Sequence, residues 1–378
     1  MIRVVYTVDA PFLGGAEHYV SRLATGLDPR EFVASVVMRS NDVDPSLDAW
    51  ARDLESKGIA VARVPMRLPF RPWDAVLIQR ALAALEPNVV HVNMPGPYGG
   101  QTALLAPIAR LTGARVVVTE HLPMVPPLWK RALVKRAAIR FVDVAVTMTR
   151  ANEELLIRRQ GYRPDRVRVV VNGVPRDYGT GPDIPPHEGR GPIFTFGFVG
   201  NLIRHKGLRL AIEALSTITA PCRLVVVGTG PDEPDARHTA LRHGVAERVE
   251  FLGRRSPREV EGIIGACDAL VLPSSVEGLP YVILEAMACS KPVVSTRAFG
   301  IPEAVVDGVT GFLVEPGDVA ALSRALHALA TDPSLCARMG HAGRARFEER
   351  FTLERQIDAM SALYRGLATG RATRERSP

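Results

Sequence analysis

A chain of 378 residues is longer than one hydrophobic core usually grows, since cores stop enlarging near about 250 residues and longer chains divide, so two domains are expected. Hydrophobic residues at 47% and charged residues at 23% exclude the disordered, collagen-like and membrane-spanning classes. The 47 Lys and Arg against 40 Asp and Glu leave a charge of +7, which favours anionic partners such as phosphates, nucleic acid or an acidic membrane face without choosing among them.

Short apolar, β-branched runs alternate with helical patterns along the whole chain. That rhythm belongs to parallel sheets joined by crossover helices, so the fold class is α/β. The chain opens directly on an apolar run at 2–8 with no basic and apolar leader, and no stretch approaches the ~18 apolar residues that span a bilayer, which predicts a cytoplasmic protein. In the first half the predicted strands are 4–8, 33–38, 61–64, 89–92, 115–119, 142–147 and 167–171, with predicted helices at 17–26, 47–57, 102–111 and 152–160. Cys222, Cys267, Cys289 and Cys336 form no Cys-x-x-Cys pair, have no histidine at metal-ligand spacing, and read as reduced core thiols.

The loop Gly14-Gly15-Ala16-Glu17 follows the first strand and opens a helix, so it offers backbone donors to a phosphate, although glycine loops of this kind recur in many folds. Asp42-Val-Asp44 has the short acidic pattern that can hold a metal, but it lies in a polar loop, and no metal is expected. His91, at a strand end, reads as a satisfied structural histidine. The segment 126–140 is a basic amphipathic helix with Leu128, Trp129, Leu133 and Val134 beside Lys130, Arg131, Lys135, Arg136 and Arg140. Such a helix can touch an anionic membrane, but the plainer reading, an apolar face packed on its own domain, is preferred.

Residues 177–192 are the richest Gly/Pro stretch and suit a linker between a first domain, 1–176, and a second, 193–351. The second domain repeats the rhythm with strands at 194–199, 223–227, 249–252, 269–272 and 293–295, and helices at 208–216, 235–243, 258–266, 281–288, 319–331 and 333–349. An amphipathic helix at 352–367 carries Leu353, Ile357, Met360, Leu363 and Tyr364 at helical spacing, and the tail from Thr369 is expected to fray. Ligands are expected in the cleft between the two units, where strands end and helices begin.

Three loops of the second half bear on chemistry. Gly197-Phe-Val-Gly200-Asn201-Leu-Ile-Arg204-His205-Lys206-Gly207 ends a strand in glycine and places Arg204 and Lys206 before a helix. Glycine lets the backbone approach a phosphate, and Lys206 can neutralise a departing diphosphate, although the order is not that of a P-loop. Val227-Gly-Thr-Gly-Pro resembles a dinucleotide fingerprint, yet Glu233 stands where the third glycine belongs, so that reading fails. In Glu277-Gly-Leu-Pro-Tyr-Val-Ile-Leu-Glu285, Pro280 suits the first helical turn, and the amides of Tyr281 and Val282 form an anion site behind it. The carboxylates of Glu277 and Glu285 are suited to accept from sugar hydroxyls; the plainer alternative makes Glu277 a cap and Glu285 part of a solvated face.

The ordered set Gly14-Gly15-Ala-Glu, Thr119-Glu-His121, Val171-Asn-Gly-Val, Gly200-x-Leu-x-x-x-Lys206-Gly, Val227-Gly-Thr-Gly-Pro, Phe251-Leu-Gly and Glu277 to Glu285 with its continuation Ala-Met-Ala-Cys-Ser-Lys-Pro-Val-Val resembles the family 4 retaining glycosyltransferases of GT-B fold. The resemblance implies two Rossmann-like domains facing each other across a cleft, with a C-terminal helix, 352–368, crossing back to the first domain and a tail at 369–378. It implies that Glu285 accepts from the donor ribose, that Glu277 holds hydroxyls of the transferred sugar and that Lys206 and the Gly200 loop bind the diphosphate. By the same resemblance Gly14 and Gly15 approach phosphate and acceptor, His121 sits beside the sugar at the reaction centre, and Arg254 lies where the family contacts the base. The family usually carries Arg where this chain has Asn201, which removes a positive charge that Arg204 would have to replace.

The implied activity is transfer of a hexosyl or N-acetylhexosaminyl unit, with retention, from a nucleotide diphosphate sugar to an acceptor hydroxyl, without metal or cofactor. Family frequency favours UDP over GDP as the carrier. A sugar-nucleotide epimerase and a phosphorylase are the alternatives within this fold, and the charge alone raises a nucleic-acid binder, which the 6% aromatic content and the lack of a reading motif disfavour. The acceptor is not legible in the sequence.

Overall fold

Val4 to Val8 are all buried in strand β1 (Ile2–Val8), as a continuous apolar strand must be when helices cover both faces of a parallel sheet. The computed structural model of the chain describes residues 1–10, 13–40, 44–65, 72–94, 102–122, 129–180 and 193–370. It divides into one unit formed by Met1–Asn172 with the chain from Glu354 onward, and a second formed by Gly173–Leu353. No helix among the described residues is long and apolar enough to cross a membrane.

In the first unit β1 is followed by α1 (Gly15–Gly26), β2 (Phe32–Arg39), α2 (Pro45–Ser56), β3 (Ala60–Val64), α3 (Pro72–Ala84), β4 (Val89–Met94), α4 (Thr102–Arg110), β5 (Arg115–Glu120), α5 (Trp129–Ala138), β6 (Val144–Thr147), α6 (Arg150–Leu155) and β7 (Val167–Val169). The seven strands form one parallel sheet in the order β3-β2-β1-β4-β5-β6-β7. The predicted helix 152–160 is α6 continued by a π-helical turn, Leu156–Gln160, which Gly161 ends at φ +85. Helix α3 has no counterpart among the predicted elements.

The second unit runs β8 (Phe194–Val199), α7 (Leu208–Ser216), β9 (Cys222–Val227), α8 (Glu233–Arg242), β10 (Val249–Gly253), α9 (Pro257–Ala266), β11 (Ala269–Leu272), α10 (Tyr281–Ala288), β12 (Val293–Thr296), α11 (Ile301–Ala304), β13 (Gly311–Val314), α12 (Val319–Thr331) and α13 (Pro333–Arg350). Its six-stranded parallel sheet has the order β10-β9-β8-β11-β12-β13. Strand β13 was not among the predicted strands, because four residues opening on glycine carry too little periodicity to stand out. Residues 181–192 of the proposed linker lie outside the described residues, whereas Gly179 is held in the second unit by donating its amide to Glu261 of α9 at 2.7 Å.

Helix α14 (Leu353–Ala368) packs in the first unit from Glu354 onward, burying Gln356, Met360, Ser361, Leu363 and Tyr364. The family resemblance implies this return to the first unit, and the stripe supplies the buried face: Tyr364 meets His91 and Tyr6, and Arg365 pairs with Glu31 at 2.6 Å. Of the tail, residues 371–378 lie outside the described residues.

The basic helix is α5, whose start at 126–128 lies outside the described residues, and its faces differ from the expectation. Leu133 and Val134 are exposed, whereas Lys135 is buried, donating to Glu120 at 2.8 Å. An ammonium paired with a buried carboxylate that also accepts from Tyr162 at 2.9 Å outweighs the preference of lysine for water. Asp44 caps α2, accepting from the amide of Ser46 at 2.8 Å, while Asp42 lies outside the described residues.

Candidate active site

Strand β8 runs into a loop that turns back on the ends of its neighbours. Gly200 donates to Val227 O at 3.0 Å, and Gly228 donates to Gly253 O at 2.8 Å, so the loops after β8, β9 and β10 stack through their backbones. A Cβ on Gly228 would lie 2.0 Å from Gly200 O. The glycines of Val227-Gly-Thr-Gly-Pro therefore serve close loop packing, which accounts for a fingerprint that lacks its third glycine.

After Asn201, which is partly buried, residues Arg204–Lys206 form one 3-10 turn closed by Gly207 at φ +75. Arg204 is exposed on this turn. Gly207 is forced twice, by its left-handed backbone and because a Cβ would meet Pro273 O at 2.3 Å. That approach lays the turn against the end of β11, and the amide of Ser275 donates to His205 O at 2.8 Å. Burial first, then the adjacent Lys206, lowers the pKa of His205.

The turn delivers Lys206 to Glu277: Nζ lies 2.5 Å from Oε1. The same oxygen accepts from Ser274 Oγ at 2.9 Å, and Ser274 O in turn accepts from Thr296 Oγ1 of β12. Glu277 is 8% exposed, a buried carboxylate whose Oε1 is oriented by Lys206 and Ser274. Pro280 occupies the N-cap of α10, one position earlier than expected, with Tyr281 and Val282 opening the helix. Their amides precede the first intrahelical acceptor, at the positive end of the dipole. Glu285 lies one turn further along α10 and is partly buried; Arg254 follows β10 and is exposed.

In the first unit, Gly14 caps α1 and donates its amide to Glu17 Oε2 at 2.8 Å, with Gly15 opening the helix. Glu17 is buried, its Oε1 has no hydrogen-bond partner among the described residues, and burial raises its pKa to about 7 against the opposing pull of the backbone amides. His121 follows β5 directly: its amide donates to Met94 O at 3.2 Å and its Nε2 lies 2.6 Å from Asn93 Oδ1. The Tyr19 ring stands edge-on to His121 at 4.8 Å, and burial lowers the imidazole pKa to about 3, so the ring is neutral at ordinary pH.

His91 is fully buried, with Nδ1 2.6 Å from Tyr364 OH and Nε2 2.6 Å from Thr119 Oγ1, a satisfied structural histidine as its strand context indicates. Two side chains of this arrangement, Asn93 and Ser274, were not singled out from the sequence. The signal for Asn93 was present: His91-Val-Asn93 alternates on a strand whose other residues are apolar, so two polar side chains share one face.

The second unit thus gathers Gly200, Asn201, Arg204, Lys206, Glu277, Tyr281 and Val282 on neighbouring strand ends and one helix start. In the first unit Gly14 caps and Gly15 opens α1, and His121 follows β5. Residues 186–346 match the family model of glycosyl transferases group 1, and residues 13–178 match that of glycosyltransferase family 4. The chain is 31% identical over 329 residues to alpha-maltose-1-phosphate synthase of Mycolicibacterium smegmatis, covering 77% of this chain and 81% of that protein. It is 28% identical over 390 residues to D-inositol 3-phosphate glycosyltransferase of Stackebrandtia nassauensis, covering 93% and 86%. Its fold is shared with Anabaena HepE, solved in complex with UDP and glucose, at a TM-score of 0.83 and 22% identity over 97% of this chain and 100% of that one.

Proposed function

The chain belongs to the family 4 glycosyltransferases, and on that premise we propose that it is a retaining hexosyltransferase that uses a UDP-sugar and needs no metal. The observation that carries this reading is the Lys206 to Glu277 contact at 2.5 Å, beside the start of α10. An ammonium has three donors, so Lys206 gives one to Glu277 and keeps two for diphosphate oxygens. Oε1 of Glu277 is taken by Lys206 and Ser274, which leaves Oε2 to accept from hydroxyls of the transferred sugar. Glu285 accepts from the ribose, Arg254 lies by the base, and the Gly14-Gly15 loop approaches phosphate.

As the bond from the anomeric carbon to the phosphate oxygen breaks, the electron pair leaves with the diphosphate. Lys206 and the amides of Tyr281 and Val282 stabilise that charge, with Arg204 standing in for the arginine replaced by Asn201. The acceptor oxygen enters on the face the phosphate leaves, and its proton passes to the departing phosphate. His121, neutral in the folded protein, orients the sugar through hydrogen bonds and does not supply a proton. The names of relatives support nucleotide-sugar chemistry without fixing the donor: HepE was solved with UDP-glucose, and another relative, from M. smegmatis, is a GDP-mannose-dependent mannosyltransferase.

Incubation with UDP-glucose, UDP-galactose, UDP-N-acetylglucosamine and GDP-mannose, with nucleotide release and proton NMR of the new anomeric centre as readouts, tests this. An α-donor giving an α-product, undiminished by EDTA, is expected. A β-product or loss of activity in EDTA overturns retention or metal independence respectively.

A further inference from the structure

Asn93 is 1% exposed at the end of β4, between two elements that the proposed reaction uses. Its Nδ2 donates to Ala16 O, in the first turn of α1, at 3.1 Å. Its Oδ1 lies 2.6 Å from His121 Nε2. The first bond settles the amide orientation, since only the nitrogen can donate to a carbonyl. A carbonyl oxygen only accepts, so His121 Nε2 must carry the hydrogen.

We propose that Asn93 is a positioning residue of the transfer reaction: it holds His121 in the Nε2–H tautomer, turns the Nδ1 lone pair toward substrate, and ties the ring to the helix that starts at the Gly14-Gly15 loop. This rests on the reading of His121 as a reaction-centre residue. The β4 to β5 register pairs Asn93 with Thr119, so His121 emerges two residues later on the same side as the amide. The His121 amide on Met94 O fixes the backbone of the histidine, and the edge of Tyr19 limits the ring on another side. Because the ring is neutral, its tautomer and not its charge decides which nitrogen meets a hydroxyl. Aspartate at 93 would repel Ala16 O and favour a charged imidazole, and an apolar residue would leave both partners unpaired.

Nitrogen-15 NMR of histidine-labelled wild-type protein should show His121 as the Nε2–H tautomer, and Asn93→Ala should give a mixture. An Nδ1–H ring in the wild type, or an unchanged ring in Asn93→Ala, overturns the assignment without reference to activity. The kinetic arm measures nucleotide release by water from the donors named above. Asn93→Ala is expected to lower kcat on the order of 100-fold, the scale of a misplaced reacting group, with donor KM changed much less. In a His121→Ala background the same substitution should have no further effect, because Asn93 acts through the ring. Additive losses overturn the positioning role. Full activity of His121→Ala alone instead sinks the reaction-centre reading, an outcome the NMR arm cannot produce, so the two failures are distinguishable.

Discussion

Lys206 Nζ and Glu277 Oε1, 71 residues apart in the chain, lie 2.5 Å from each other where the turn after β8 meets the loop before α10. The contact makes one unit of two residues whose tasks look separate in the sequence. The cation proposed to meet a diphosphate also orients the carboxylate proposed to meet the sugar.

Lys206→Ala should therefore do two things. Turnover should fall by roughly 10²–10³-fold, as when a donor to the developing charge is removed. The second unit should also lose about 1–3 kcal/mol, because Glu277 is left buried with only Ser274. The pair Lys206→Met with Glu277→Gln should recover most of the stability and none of the turnover, measured by urea unfolding and nucleotide release. Wild-type stability in Lys206→Ala would show that the contact is energetically idle.

The turn that carries Lys206 depends on Gly207. Alanine there must adopt φ +75 and place its Cβ 2.3 Å from a backbone oxygen, which cannot rotate aside. A destabilisation of about 2–4 kcal/mol is expected, with weakened donor binding. Gly244→Ala is the control: its φ of +69 is similar but nothing lies near its Cβ, so about 1 kcal/mol is expected. Equal losses in the two variants would refute the close-approach argument.

Glu17 should make stability depend on pH. Burial raises its pKa in the folded protein to about 7, above the 4.5 of the free group, so the folded state binds more protons between those values. Stability from this group is full below pH 4.5 and is lost as pH rises to 7. The buried histidines act oppositely: His91 and His121, lowered to about 3, add stability as pH rises toward 6.5. The difference between Glu17→Gln and wild type isolates the glutamate. It should grow across pH 4.5–7 to about 3 kcal/mol at most in favour of the variant, then stay flat. A difference independent of pH would show that Glu17 is not held protonated.

Much of the candidate site was legible because its residues act through local backbone geometry. Gly200, Gly207, Tyr281 and Val282 are read from short-range rules: where glycine permits a close turn and where a helix begins, with its first amides at the positive end of the dipole. Lys206, Glu277 and Glu285 stand in the same loops, and their order along the chain carried the family resemblance. The alternation of apolar runs with helical patterns likewise announced two parallel sheets, since period and run length are properties of each segment alone.

The residues that escaped are those whose role depends on a neighbour distant in sequence. Lys135 sits in a run of basic residues and reads as surface, yet Glu120 and Tyr162 draw it inside. Asn93 lies just past the predicted strand 89–92 and shares a polar face with His91, but its partners are set only when α1 and β5 place Ala16 O and His121 Nε2 around its amide.

What the amino-acid sequence determined by itself was the α/β class, while it nominated the loops of the candidate site and the type of group each offers, because these follow from periodicity, turn chemistry and motif order. Only the tertiary structure decided which groups touch. The pairing of Lys206 with Glu277, the tautomer of His121 and the burial of Glu17 arise where strands far apart in the chain end side by side. Hydrogen bonds and desolvation act over a few ångströms of space, and no local pattern in the chain encodes that distance.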